Sequence, residues 1–297
     1  MPENTYGQPW SRQYRGLLVF LLDQSASMQD KRMIGGKTYT NGQMATATLN
    51  DLIYTIIKNT PVDPVTAQLK DYCDILVLGY GDQIVPLVHA GNGLPISISE
   101  LAIHPRGDNT VLAERFDSAL NRVVQIKEKR PYWIVEQSEG RYTEMALALQ
   151  ATFRAVQTWL GTEPHMDSFP PIIINISDGA HNGTGDPVVE ARKICNLYTN
   201  DGYVMLFNCH LTSHGQQRIV FPKTEQEVKS QITDPKEQKW AVQLFSMSSP
   251  IPRTMVQNAQ EVRRVGLEYG THGFLYNASP SDLMEFLTWG TNRDEKF

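Results

Sequence analysis

The sequence predicts an α/β fold with a mostly parallel central sheet, one antiparallel edge strand and helices on both faces. Three observations predict it. Short apolar runs alternate with segments of helical periodicity. Two of those runs, Gly16-Leu-Leu-Val-Phe-Leu-Leu22 and Ile172-Ile-Ile-Asn-Ile-Ser177, read as strands buried on both faces, as parallel strands do. Residues 73–79 and 84–88 are strand-like and separated by a short turn at Gly81-Asp82, which fits a hairpin and makes 84–88 the antiparallel edge.

The remaining elements follow in order. Asn41–Asn59 carries Met44, Leu49, Leu52, Ile53, Ile56 and Ile57 at helical spacing and is the first covering helix. Residues 144–159 and 188–199 read as further helices and 203–211 as another strand. Residues 273–276 read as the last strand, and 280–289 as a closing helix capped by Ser279. Two stretches break the alternation: 98–139, with a helix expected over 111–126, and 212–252. Neither has enough apolar residues for a core of its own, so both read as insertions in one domain spanning 1–297. Residues 29–40 read as a hairpin with Gly35-Gly36 at its tip.

Composition excludes several classes. Of the 297 residues 41% are hydrophobic and 20% charged, which is ordinary for a globular protein and unlike a disordered chain. A net charge of −5 argues against a nucleic-acid partner, since phosphate binding needs clustered Lys and Arg. The short basic cluster Lys127, Lys129 and Arg130 reads as a solvated helix end. The longest apolar run, residues 17–22, is far below the ~20 residues of a membrane span, so no membrane partner is expected. Residues 1–15 are polar, without a signal-peptide core. Cys73, Cys195 and Cys209 lie in or beside apolar segments and read as buried thiols, which makes a reducing cytoplasm the expected compartment.

The chemistry concentrates where strands end. Asp23-Gln-Ser25-Ala-Ser27 directly follows the first apolar run, at the carboxyl end of a parallel strand, where open α/β sheets bind ligands. One carboxylate and two hydroxyls at alternate positions supply the hard oxygen ligands that Mg²⁺ prefers. The second run also ends in an acid, Asp178-Gly179. Between them Thr143 stands at the start of a helix, as its expected N-cap. Residues expected on the rim by adjacency are Gln24, Met28, Tyr142, Glu144, Ala180, His181 and Asn182.

This order of Asp-x-Ser-x-Ser, then Thr, then Asp-Gly resembles the metal ion-dependent adhesion site of von Willebrand factor A (VWA) domains, over residues 14–212 and more loosely from 254 onward. The resemblance implies a Rossmann-like VWA fold and a divalent cation, Mg²⁺ or, in the same site, Mn²⁺ or Ca²⁺. It implies direct ligation by Ser25, Ser27 and Thr143, with Asp23 and Asp178 often acting through water. A partner protein's Asp or Glu would complete the shell, so the chain is expected to be a non-enzymatic adaptor or scaffold. The run Leu18 to Met28 looks most like that of stand-alone cytoplasmic bacterial VWA proteins of the tellurite-resistance-associated type. A kinase, a phosphatase or an AAA⁺ ATPase are the partner classes this brings.

Two alternatives stand beside it. A metal-dependent phosphate-ester hydrolase needs more carboxylates, or a second Asp two residues after the first, where Ser25 stands. A target-recruiting VWA subunit of an AAA⁺ machine would carry the same residues. Cys209, His210 and His214 form only a partial zinc pattern. His181 beside Asp178 reads as a rim residue rather than a general base.

Overall fold

The computed structural model describes residues 2, 4–34, 36–88, 90–117, 122–137, 140–179, 181–211, 217–261, 267–279, 281–282 and 284–285. In chain order the first half holds β1 (Gly16–Asp23), β2 (Lys31–Ile34), β3 (Lys37–Thr40), α1 (Asn41–Asn59), β4 (Cys73–Tyr80), β5 (Ile84–Pro86), β6 (Ile96–Ser97), α2 (Ile98–Ile103), β7 (Gly107–Asp117) and β8 (Arg122–Tyr132). The second half holds α3 (Met145–Leu160), β9 (Ile172–Ser177), α4 (Pro187–Cys195), β10 (Tyr198–Thr199), β11 (Gly202–Tyr203), β12 (Met205–His210), β13 (Ile219–Val220), α5 (Glu225–Gln231), α6 (Pro235–Met247), α7 (Arg253–Glu261) and β14 (Phe274–Tyr276).

The main sheet runs β13-β14-β12-β9-β1-β4-β5, with β6 also on β4. Strands β4, β1, β9, β12 and β14 are parallel, and β5 is the expected antiparallel edge. Two shorter antiparallel strands, β6 on β4 and β13 on β14, are additions. With two residues each, they carry no readable periodicity.

Every residue of β1 is buried, because alternate side chains enter two separate apolar layers. Leu18, Phe20 and Leu22 join Met44, Leu49 and Ile53 of α1, Leu101 of α2 and Val256 of α7 on one face. Leu17, Val19 and Leu21 join Leu149 and Trp159 of α3, Ile194 of α4 and Leu244 of α6 on the other. Within the segment read as a second insertion, α6 thus covers the sheet like any other helix. Helix α1 starts where Thr40 and Gln43 cap each other: Thr40 Oγ1 accepts the Gln43 N–H at 2.9 Å and Gln43 Oε1 the Thr40 N–H at 3.1 Å. The hairpin expected over 29–40 is present as β2–β3.

The helix expected over 111–126 is not formed. Residues 111–117 belong to β7 and 122–126 to β8, which pair antiparallel from Gly107↔Tyr132 to Asp117↔Arg122, while 118–121 lie outside the described residues. In β8 the period is two: Val124, Ile126, Glu128 and Arg130 are half-buried, while Val123, Gln125, Lys127 and Lys129 are exposed. The basic cluster is therefore not a helix end. Arg130 turns inward, 3.0 Å from Glu128 and 3.4 Å from Asp51, and lies over the Tyr54 ring, while Lys127 and Lys129 face water. The helix read over 188–199 stops at Cys195, and Tyr198–Thr199 pairs back on Gly202–Tyr203. Of 280–289, residues 281–282 and 284–285 are described and helical, and Ser279 Oγ accepts the Asp282 N–H at 3.2 Å.

The full burial of β1 sets one expectation. Phe20→Ala should cost about 3–5 kcal/mol, because it deletes a side chain with no exposed surface and leaves a cavity. A urea melt checks it, and a loss under about 1 kcal/mol would show that this layer is not close-packed.

Candidate metal centre

Asp23 is the last residue of β1, and its carboxylate is buried. Oδ1 accepts the Ser25 N–H at 2.8 Å and Oδ2 accepts the hydroxyl of Ser177, also at 2.8 Å. Ser177 ends β9, the neighbouring strand, and its own oxygen accepts the Gly179 N–H at 2.8 Å. Burial first, and the like charge of Asp178 second, push the Asp23 pKa up to about 7. Among the described residues no lysine or arginine forms an ion pair with Asp23.

Ser25 opens a short 3₁₀ turn over Ala26–Gln29, held in place by Met28, which is fully buried in the α1-side layer. That turn brings Ser25 Oγ and Ser27 Oγ to 3.0 Å from each other. Ser25 is buried and Ser27 half-buried. Neither hydroxyl caps the turn.

Three loops meet here, and each pair is joined by hydrogen bonds. The first loop meets the second where the Ala26 N–H donates to Gly140 O at 2.7 Å and the Gly140 N–H to Gln24 O at 3.3 Å. A side chain at 140 has no room: its Cβ would stand 2.9 Å from Asp82 N and 3.0 Å from Gly81 Cα. The second meets the third where Asn182 Oδ1 accepts the Thr143 N–H at 2.7 Å, and where Glu144 Oε2 accepts the N–H and hydroxyl of Thr184 at 2.8 and 3.0 Å. The third meets the first through Ser177 and Asp23. Gly179, at φ +84°, completes the third loop; a Cβ there would collide with the His210 ring at 2.6 Å.

All five predicted ligand positions belong to these loops. Asp23, Ser25 and Ser27 are linked directly, and Asp178 is close enough to act on Asp23 electrostatically. Thr143 is buried on the adjoining loop, and among the described residues its hydroxyl makes no hydrogen bond. It is not the N-cap of α3. That position is Glu144, with no side-chain cap, because Glu144 is engaged by Thr184.

The rim differs from expectation. Met28 is core, and Gln24 is buried with its amide on the residue 137 N–H and the Asp23 carbonyl. Asn182 and His181 brace Thr143: the His181 ring nitrogens face Thr143 O at 2.9 Å and Gly185 O at 3.1 Å. Tyr142 is exposed, and Ala180 lies outside the described residues. Sequence reasoning missed Ser177 and Asp82, which hold Asp23 and the Tyr142 N–H. A polar residue closing an apolar central strand was the available signal for Ser177.

Among the described residues no three His, Cys, Asp or Glu side chains gather as a metal group. The zinc pattern gains nothing: His210 is buried and His214 lies outside the described residues. What the three loops offer is a set of hydroxyls beside two carboxylates, suited to a hard cation.

No protein-family model and no curated protein matches the chain. Among solved structures it is similar to proximal thread matrix protein 1 from the mussel byssus with a zinc-occupied MIDAS motif, at 14% identity and a TM-score of 0.45, over 93% of this chain and 47% of that one. It is also similar to a von Willebrand factor type A protein from Catenulispora acidiphila, at 14% identity and TM-score 0.39, over 80% and 44%. A third is the manganese-loaded Plasmodium vivax TRAP protein, at 13% identity and TM-score 0.35, over 67% and 58%. The match spans less than half the length of the first two of these proteins.

Asn182→Ala should leave the Thr143 amide without its acceptor. Losing a bond worth about 1 kcal/mol raises amide exchange at Thr143 by about five-fold. Hydrogen exchange read by NMR tests this, and an unchanged Thr143 amide would mean Asn182 does not hold the second loop to the third.

Proposed function

We propose that this chain is a VWA-like, metal-dependent protein-binding module. One observation carries the reading: three loops, tied pairwise by hydrogen bonds, bring Asp23, Ser25, Ser27, Thr143 and Asp178 to one end of the sheet, where the buried Asp23 carboxylate feels the like charge of Asp178. The all-oxygen donor set supports Mg²⁺ or Mn²⁺, and the turn brings two of those oxygens, Ser25 Oγ and Ser27 Oγ, within 3.0 Å of each other.

Ser25, Ser27 and Thr143 would hold the ion, with Asp23 and Asp178 behind them. Bound there, a divalent cation supplies a coordination position that a partner's Asp or Glu can fill. The half-buried Ser27 and Asp178 leave that side accessible, while Asp23, Ser25 and Thr143 are shielded from water. Tyr142, 55% exposed beside Thr143, would contact the partner. An adaptor role toward a kinase, phosphatase or AAA⁺ ATPase is the form of this reading we favour. All three cysteines are free thiols, which supports a reducing compartment. Among the described residues no helix is long and apolar enough to cross a membrane.

Two outcomes test the reading. Wild-type protein should bind Mn²⁺ in an EPR titration, and Asp23→Asn should abolish the binding. In metal-free buffer at neutral pH the same variant should melt no lower than wild type, because it removes a buried charge beside Asp178. Undiminished Mn²⁺ binding by Asp23→Asn would sink the assignment. Partner capture should be lost with EDTA and with Asp23→Asn; hydrolysis of p-nitrophenyl phosphate by the Mg²⁺-loaded protein would instead establish the hydrolase alternative.

A further inference from the structure

On the sheet face under α3, α4 and α6, where Asp74 bonds the Trp159 indole at the far end, runs a line of buried polar side chains. Tyr80 ends β4 at the site, and Asn175 of β9 and Asn208 of β12 lie two residues short of the ends of their strands, each no more than 1% exposed. Tyr80 reaches past β1, which lies between β4 and β9, to donate its hydroxyl proton to Asn175 Oδ1 at 2.7 Å. Asn175 Nδ2 donates to Asn208 Oδ1 at 3.0 Å. Asn208 Nδ2 donates to Ser248 Oγ at 3.0 Å and to Leu244 O at 3.2 Å. Ser248, the C-cap of α6, donates to Leu244 O at 2.8 Å. Every bond points the same way, from Tyr80 toward the end of α6.

Placing three polar side chains in an apolar layer is costly unless all are paired, and apolar residues of similar size would fill the space without that demand. The head of the line gives the reason. Tyr80 pairs in register with Asp23, and its hydroxyl lies against Ser177 and within the field of Asp23. Two hydroxyls therefore sit beside one carboxylate with one proton each. Because Asn175 takes the Tyr80 proton, the Ser177 proton is left for Asp23.

We infer that Tyr80, Asn175, Asn208 and Ser248 are positioning residues for the candidate cation site, holding the Tyr80 proton away from the Asp23–Ser177 pair and linking the site to the carboxyl end of α6. This rests on the cation reading above. Without Asn175, the Tyr80 hydroxyl turns to Ser177 or Asp23 and competes with the cation for the carboxylate. By linkage, cation binding is felt in return at Asn208 and the α6 cap.

A double-mutant cycle on Mn²⁺ affinity, read by EPR, tests the inference. Asn175→Leu should weaken Mn²⁺ binding about five-fold, the worth of one hydrogen bond, when Tyr80 is present. In the Tyr80→Phe background, with no proton to redirect, the same substitution should have no effect. Equal losses in both backgrounds, or none in either, overturn the inference, because Asn175 would then act by packing or not at all. Failure of wild type to bind Mn²⁺ would overturn the cation reading itself, and this inference with it. A measurement on wild type does not depend on the variants folding. The side-chain amide resonances of Asn208 should shift on saturation with Mg²⁺, while those of Asn50, bonded to Ile134 O outside this line, should not. An unmoved Asn208 amide would also overturn it.

Discussion

A carboxylate buried at the end of a central strand is the constraint on which the site end of this protein depends. Asp23 is sealed from solvent, with a second acid for a neighbour, and what steadies it is donated by the backbone of Ser25 and the hydroxyl of Ser177. The hydroxyl comes from a strand end and the amide from the turn just past β1. The parallel pairing of β1 with β9 sets Leu22 opposite Ile176, so the next residues, Asp23 and Ser177, emerge side by side. The Asp23–Ser177 pair is thus set by sheet register, and the first loop adds the Ser25 amide.

The loops add precision without a core of their own. Past the strand ends few apolar side chains remain to pack, so the segments are held by main-chain bonds and close backbone contact. Met28 is the exception, a buried anchor one residue beyond the second serine. Gly140 lets the second loop lie directly against Gly81 and Asp82. Asn182 and Glu144 spend their side chains on the partner loop rather than on solvent. Such a framework favours reproducible oxygen placement over stability, which is the usual trade at a binding site.

Much of this was legible in the sequence, for identifiable reasons. The runs at 16–22 and 172–177 were readable because strands buried on both faces are apolar throughout, and Asp23-x-Ser25-x-Ser27 because it is contiguous. The hairpin β7–β8 was not. It carries apolar residues on both faces, Leu112 and Val123 outward and Val124 and Ile126 inward, so alternation is blurred and the sum over two strands mimics helical spacing. Met28 was misplaced because adjacency in sequence says nothing about which side of a turn a residue faces. Asp82, Asn182 and Ser177 act on residues 60, 39 and 154 positions away, separations that a single sequence does not reveal.

The strand order has a consequence for how the molecule assembles. β1 is flanked by β4 and by β9, which arrives late in the chain, and the bond that steadies Asp23 closes a loop of 154 residues. Closing such a loop costs about 4–5 kcal/mol of chain entropy, repaid once β9 has docked along Leu18–Leu22 of β1. During synthesis the first loop therefore leaves the ribosome well before its third-loop partners exist, and non-local parallel pairing of this kind forms slowly. Asp23 keeps its water until β9 has docked, so a half-made chain has the first loop without its Ser177 donor.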